Sequence, residues 1–332
     1  KESIDRDGQI VRDYPRLKFG GAHLQDPEGQ WARDITERSA KALAKGLALV
    51  FVIGLALSWL LRKSPYPWRW AFACFSLLLL LAMWAAELSA VYHVLGTDRT
   101  GNSVLWIALK SIRTALVIGV LTTLVVLPLA LGLGVMAGYF RGWVDEVIQY
   151  VYTLLSSIPD VLLIAAAVLL LQVTELFATA LERSDARLLF LCLILGITAF
   201  TGLCRLIRGE AMKLRELEYI QAARAFGVSS FGIITKHIVP NLMHIVLISL
   251  VMQFSGFVLA EAVLSYVGVG VDPKTPSFGV MINTARAELA ATPVVWWTLT
   301  TAFVFMLMLV LSANLFSDAV RDAFDPRARQ RQ

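Results

Sequence analysis

The side chains of this 332-residue chain with the most unusual chemistry are the polar ones set inside long apolar runs. Asp160 follows Pro159 within the run 147–172, Glu261 lies near one end of 240–267, and Glu87 near one end of 71–91. A carboxylate surrounded by hydrocarbon is costly unless paired or wetted, so each acid marks either a polar path or a structural pairing. Pro159 withholds an N–H and frees a backbone carbonyl, and the resulting kink would open a watery cavity beside Asp160. Pro159, Asp160 and Gln253 are therefore the candidates for lining such a path. The alternative for Asp160 is a partner among the cations or backbone groups of a neighbouring helix. Gln253 and Asn314 can cross-link helices by hydrogen bonds, and Glu87 can snorkel to a surface.

Other chemistries find no support. Cys74, Cys192 and Cys204 sit inside apolar runs without metal-ligand spacing, and His23, His93, His237 and His244 are scattered, so no metal site is expected. The chain contains no G-x-x-x-x-G-K-[S/T] and no spacing that suggests a Ser/His/Asp set. Catalysis and nucleotide binding by the phosphate-loop route are not expected of it.

The most patterned polar segment is Leu214 to Asn241. Leu217, Ile220, Ala223 and Phe226 recur every three residues, which predicts an apolar stripe on a short helix, with Lys213, Arg215, Glu216 and Glu218 pointing elsewhere. Ala222, Ala223 and Ala225 favour helix and keep one side slim. Gly227 can stop that helix in the left-handed conformation, and Ser229 or Ser230 can cap a second one. Pro240 would end the second element and open the next long helix. On pattern alone this is a helix–Gly–helix lying on a surface.

Composition decides what that surface is. Hydrophobic residues make up 57% and charged residues 17% of the chain, and mean hydropathy is +0.67. Soluble domains carry about 45–50% apolar and ~25% charged residues. Seven runs near the roughly 20 residues needed to cross a bilayer are present: 42–61, 71–91, 114–138, 147–172, 187–207, 240–267 and 294–317. Leu77–Met83 and Val161–Leu171 have no polar face, which excludes a soluble helical core. The formal charge of +5 comes from cations in short loops, the mark of membrane topology rather than of nucleic-acid binding. Arg208, Lys213, Arg215, Arg224 and Lys236, and the tail cations Arg321, Arg327, Arg329 and Arg331, place 208–239 and 318–332 in the cytoplasm. By parity 268–293, 173–186 and 92–103 are outside, whereas 139–146 and the link 62–69 are inside. Residues 1–40, polar and loop-forming at Gly20-Gly21 and Asp26-Pro27, then face outside, which implies a further span upstream of Lys1. The alternative is that 42–91 is a re-entrant or interfacial hairpin.

Several motifs bear a family resemblance. Gln221-Ala222-Ala223, Gly227 and Ile238-Val239-Pro240 resemble the EAA loop of ABC importer permeases. Gly96-Thr97-Asp98 with Gly101, Ala137-Gly138-Tyr139-Phe140 with Gly142-Trp143-Val144-Asp145, and Ile158-Pro159 are similar to the C-type subunit of the dipeptide/oligopeptide permeases. So are Glu261 to Val271, Thr275 to Gly279 and Arg321 to Arg327. The resemblance covers about 96–327 and leaves 1–92 outside. It departs from the family at Gln221, which stands for the usual Glu, at Val239 for Leu, and at Asn102-Ser103 for Arg-Asp.

The resemblance implies an all-α integral membrane protein with the type I ABC importer permease fold. Its parts would be an external segment 1–40, an additional hairpin 41–92, a permease domain 96–317 with coupling loop 208–239, and a tail 318–332. Glu218, Gln221, Ala222, Ala223, Arg224, Gly227, Ile238 and Pro240 would contact an ATPase, Pro159, Asp160 and Gln253 would be translocation-path residues, and Glu261 would be structural. The implied partners are a second permease, two ATPase subunits carrying the ATP and Mg, and an extracellular or periplasmic solute-binding protein. The bacterial inner membrane would house the complex, and peptides or similar small solutes would be its cargo. Rival readings are an ion-gradient-driven secondary transporter or channel, which should show repeated discontinuous spans with several buried charges, and a non-transporting scaffold.

Overall fold

The computed structural model describes residues 2–4, 10–12, 24, 27–60, 68–173 and 184–324. The chain divides into two compact units, residues 1–106 and 107–332.

In the first unit, strands β1 (Glu2–Ile4) and β2 (Ile10–Arg12) pair antiparallel, with Ser3 opposite Val11. Helix α1 covers Pro27–Leu60 and α2 covers Trp68–Ser89. The segment 1–40, expected to be loop-forming at Asp26-Pro27, is helical from Pro27 onward. Proline's fixed φ suits a first helical turn. Pairs one turn apart, Arg33 to Glu37 at 3.0 Å and Arg38 to Asp34 at 2.8 Å, support the polar turns that follow. Further along, Gly46 faces Leu80 and Gly54 faces Phe72, so α1 and α2 pack closely. Lys45 pairs with Glu87, and Trp84 Nε1 donates to Ser39 Oγ at 3.0 Å. Glu87 is thus an ion-pair partner rather than a lone snorkelling acid. Gly20-Gly21 and most of the link 62–69 lie outside the described residues.

The second unit is built on α3 (Val104–Phe140), α4 (Gly142–Ser156), α5 (Asp160–Val173), α6 (Ser184–Arg215), α7 (Glu218–Ala225), α8 (Ser230–Ile233), α9 (Val239–Val267), α10 (Phe278–Leu289) and α11 (Trp297–Phe324). Among the described residues six helices are long and apolar enough to cross a membrane, or seven if α4 and α5 count as one span. Their outward faces carry large apolar side chains, as a hydrocarbon solvent requires.

Two expectations need correction. The run 147–172 is two helices, α4 and α5, whose axes differ by 90°. Pro159 cannot donate a backbone hydrogen bond and disfavours helix at the residue before it, so the chain turns at Ser157–Pro159. Pro240 does not end a helix: the chain is helical from Ser230 to Val267, with a π-helical stretch at Ile234–Ile238 just ahead of the proline. A widened turn of this kind lets a helix pass a residue that lacks its N–H. The loop 268–293 contains α10, capped by Ser277, which accepts from Val280 N at 3.1 Å. Its buried Phe278, Met281, Ala285 and Glu288 recur at helical spacing, a signal present in the sequence.

Small residues set the closest approach between spans. A Cβ at Gly138 would stand 2.6 Å from the Arg208 carbonyl oxygen, and one at Gly134 would stand 2.9 Å from that of Cys204. Backbone therefore meets backbone where α3 crosses α6.

Candidate coupling site

The polar chemistry gathers at one end of the second unit. Helix α6 outlasts its apolar stretch by two turns and ends at Arg215, α7 follows after two residues, and Gly227 closes it with φ +78°. Gly227 N donates to Arg224 O at 3.0 Å and Val228 N to Ala223 O at 3.1 Å, so the last carbonyls of α7 are satisfied. Ser229 then caps α8 by accepting from Gly232 N at 3.2 Å. Ile220, Ile233 and Ile238 are fully buried in one cluster with Leu203, Cys204 and Ile207 of α6 and Leu242 of α9, which holds the element against the spans.

The stripe anticipated on α7 is only partly real. Ile220 is buried and Ala223 half-buried, but Leu217 is exposed and Phe226 is 88% exposed. A three-residue spacing falls back about 60° per step on a helix of 3.6 residues per turn, so the first and last members end up on opposite sides. The exposed side holds Glu218, Tyr219, Gln221, Ala222, Arg224 and Ala225, and beyond Gly227 it continues through Val228 to Phe231, 77% exposed.

The other expected residues are placed as follows. Gln221 Nε2 donates to the carbonyl of Glu216 at 3.1 Å, a bond that a carboxylate could not make. The Arg224 guanidinium lies over the Tyr139 ring at 5.3 Å, and Pro240 is exposed in the first turn of α9. Pro159 and Asp160 are exposed at the 90° break, where the Pro159 carbonyl accepts from Leu162 N and Leu163 N at 3.0 Å. Asp160 opens α5, where a negative charge suits the helix dipole. Gln253 is half-buried, and no hydrogen bond joins it to Asp160 or to Asn314 among the described residues. The residues expected at a coupling contact are thus brought together, and the path candidates are not joined to one another.

Sequence reasoning missed the corner that anchors this element. Arg208 makes a two-point ion pair with Asp145 in α4, Nε to Oδ1 at 2.5 Å and Nη2 to Oδ2 at 2.7 Å, and both side chains are mostly buried. Arg141 Nη2 reaches Glu216 Oε1 at 2.6 Å, and Arg215 Nη1 donates to the Tyr139 carbonyl at 2.6 Å. Each partner lies more than 50 residues from its mate, so no local spacing announces the pairing. At the α9–α10 corner, buried Glu261 accepts from Ser265 Oγ at 2.6 Å, Ser265 Oγ accepts from Val271 N at 3.2 Å, and Arg187 Nε donates to Gly270 O at 3.0 Å. No group of three or more His, Cys, Asp or Glu suited to a metal ion occurs among the described residues.

Long apolar helices with a short, capped helix pinned across their ends define a multi-span membrane protein. The model of the family described as binding-protein-dependent transport system inner membrane component matches residues 130–330, and the chain belongs to that family. It is 34% identical, over 90% of its length and 93% of the relative's, to the oligopeptide transport system permease protein OppC of Mycobacterium bovis. It is 29% identical, over 90% of both chains, to the glutathione transport system permease protein GsiD of Pectobacterium atrosepticum. A match over 90% of the chain takes in most of residues 1–92, so the similarity reaches well forward of residue 96. In fold it resembles a chain of the MetNI methionine ABC transporter in an inward-facing conformation, with TM-score 0.53, 17% identity, and coverage of 66% of this chain and 97% of that one. The chain is a permease subunit of an ABC importer in the inner membrane. It is a transport component rather than an enzyme, in a family that works with an ATPase and a binding protein.

Proposed function

We propose that this chain is one of two permease subunits in an importer of peptides or similar small solutes. Two cytoplasmic ATPases carrying the ATP and Mg drive it through the segment Arg215–Val239, and an external solute-binding protein supplies the cargo. One observation carries the coupling role: Phe226 and Phe231 stand 88% and 77% exposed on either side of the Gly227 turn, on an element otherwise clamped to the spans. Burying one such side chain in a partner is worth roughly 1.5–3 kcal/mol, enough for the pair to anchor a docked surface. Glu218, Gln221, Ala222 and Arg224 would form the polar rim of that contact, with Ile238 and Pro240 tying it to α9. The cations Arg208, Lys213, Arg215, Arg224 and Lys236 support a cytoplasmic location for this end and for the C-terminus. The relatives named for oligopeptide and glutathione transport support the cargo class. Pro159 and Asp160, exposed at the α4–α5 break, are the residues we assign to the translocation path, with Gln253 on α9.

Site-directed cross-linking tests the reading. With Phe226→Cys in the co-expressed complex, a bifunctional thiol reagent should join this chain to the ATPase, and nucleotide should change the yield. Cross-linking only to lipid-facing or external partners would overturn it.

A further inference from the structure

We propose that Tyr139 is the pivot joining the coupling helix to span α3, so that α7, α8 with the π-helical turn after it, and α3 move as one body. This rests on the coupling role given to α7 above. Tyr139 is 2% exposed in the last turn of α3 and meets three other elements. The Arg224 guanidinium of α7 lies over its ring at 5.3 Å, and that of Arg215, at the end of α6, at 5.9 Å. Its hydroxyl is 3.4 Å from Ser230 Oγ at the start of α8, and its carbonyl accepts from Arg215 Nη1 at 2.6 Å. A guanidinium over an aromatic face is attracted by the ring quadrupole, more strongly as water is excluded. A single buried ring therefore offsets the mutual repulsion of two cations and holds both to α3.

Two residues on from Tyr139, Arg141 adopts φ +56°, a left-handed value uncommon outside glycine, and its guanidinium is held by Glu216 at 2.6 Å. Such strain persists only where the surroundings over-determine the conformation. The corner 139–141 is thus built to resist bending between α3 and the base of α7, and that property makes a lever of it. Tyr139 acts through Arg215, Arg224 and Ser230 and is a positioning residue.

The test uses the whole complex in proteoliposomes, with Tyr139→Leu and Tyr139→Phe. Uptake of a labelled tripeptide per ATP hydrolysed is one readout. The other is the distance between spin labels at Val120→Cys and Lys236→Cys, in a Cys74→Ser background because Cys74 is exposed. Val120 lies roughly 28 Å along α3 from Tyr139, a span well suited to the measurement. In the wild type the label distance should remain single and unchanged between nucleotide-free and ATP–vanadate states. Tyr139→Leu should still assemble and hydrolyse ATP, with a label distance that broadens or shifts on ATP–vanadate and about tenfold less uptake per ATP. Tyr139→Phe, which keeps the ring, should stay within about twofold of wild type in both. The pivot is overturned if Tyr139→Leu keeps a fixed distance, if it fails to assemble, or if Tyr139→Phe loses as much. If the wild-type complex hydrolyses ATP yet takes up no tripeptide, the proposed cargo fails while the label distance still decides the pivot.

Discussion

Replacing Gly227 by valine would place a β-branched residue at φ +78°, with no atom within 4 Å of the new Cβ. The cost is therefore one of backbone conformation and not of collision. Two responses are open to the chain. If residue 227 stays left-handed, the penalty is about 2 kcal/mol, the upper end for an L-residue there. If it leaves that region, the bonds from 227 N to Arg224 O and from Val228 N to Ala223 O are lost, at about 1 kcal/mol each. Both routes come to about 2 kcal/mol, and an eight-residue helix has little stability of its own to absorb it. At 1.4 kcal/mol per factor of ten, the equilibrium constant for a properly formed α7 falls by roughly 30-fold. The spans are untouched, so insertion should continue. Membrane-inserted protein, co-purified ATPase and uptake should be measured for Gly227→Val, Gly227→Ala and Gly227→Asn. Uptake should fall in the order Asn, Ala, Val, because asparagine tolerates the left-handed region best of the three. Equal uptake in all three variants would refute the claim that this turn transmits force.

Three other perturbations have expected outcomes. Phe226→Ala should weaken ATPase binding by about 30-fold, the effect of losing an anchor worth ~2 kcal/mol, in a pull-down titration, with unchanged melting of the isolated chain. Asp145→Asn removes the charge from a two-point contact and leaves Arg208 mostly buried beside a neutral amide, so stability in detergent should fall by about 2 kcal/mol, read as a lower melting temperature. Gln221→Glu replaces the donor to Glu216 O by an acceptor, a loss of about 1 kcal/mol. Uptake should fall no more than about fivefold and ATPase co-purification should persist.

What the sequence disclosed follows from what is local in it. Span positions, the left-handed stop at Gly227 and the cap at Ser229 each depend on a few neighbouring residues, and each appears where spacing and residue type put it. The break at Pro159 was signalled by the proline, but its 90° angle depends on how α4 and α5 pack, which no single run encodes. The continuous helix across Pro240 depends on a π-helical stretch with no sequence signature of its own. The purpose of the Tyr139–Asp145 corner is invisible in its motif, because Arg208, Arg215 and Arg224 meet it only after α3 and α6 cross at Gly134 and Gly138. Phe226 was assigned to the wrong side because a spacing of three resembles an amphipathic stripe only over short distances.

Reconstitution tests the central claim most directly. This chain, its partner permease, the ATPases and the binding protein would be placed in liposomes, and accumulation of a labelled tripeptide followed on adding ATP to the ATPase face. The prediction is ATP-dependent accumulation that stops with Gly227→Val while that variant remains in the membrane. Accumulation driven by an ion gradient without ATP, or wild-type uptake by Gly227→Val, would contradict it.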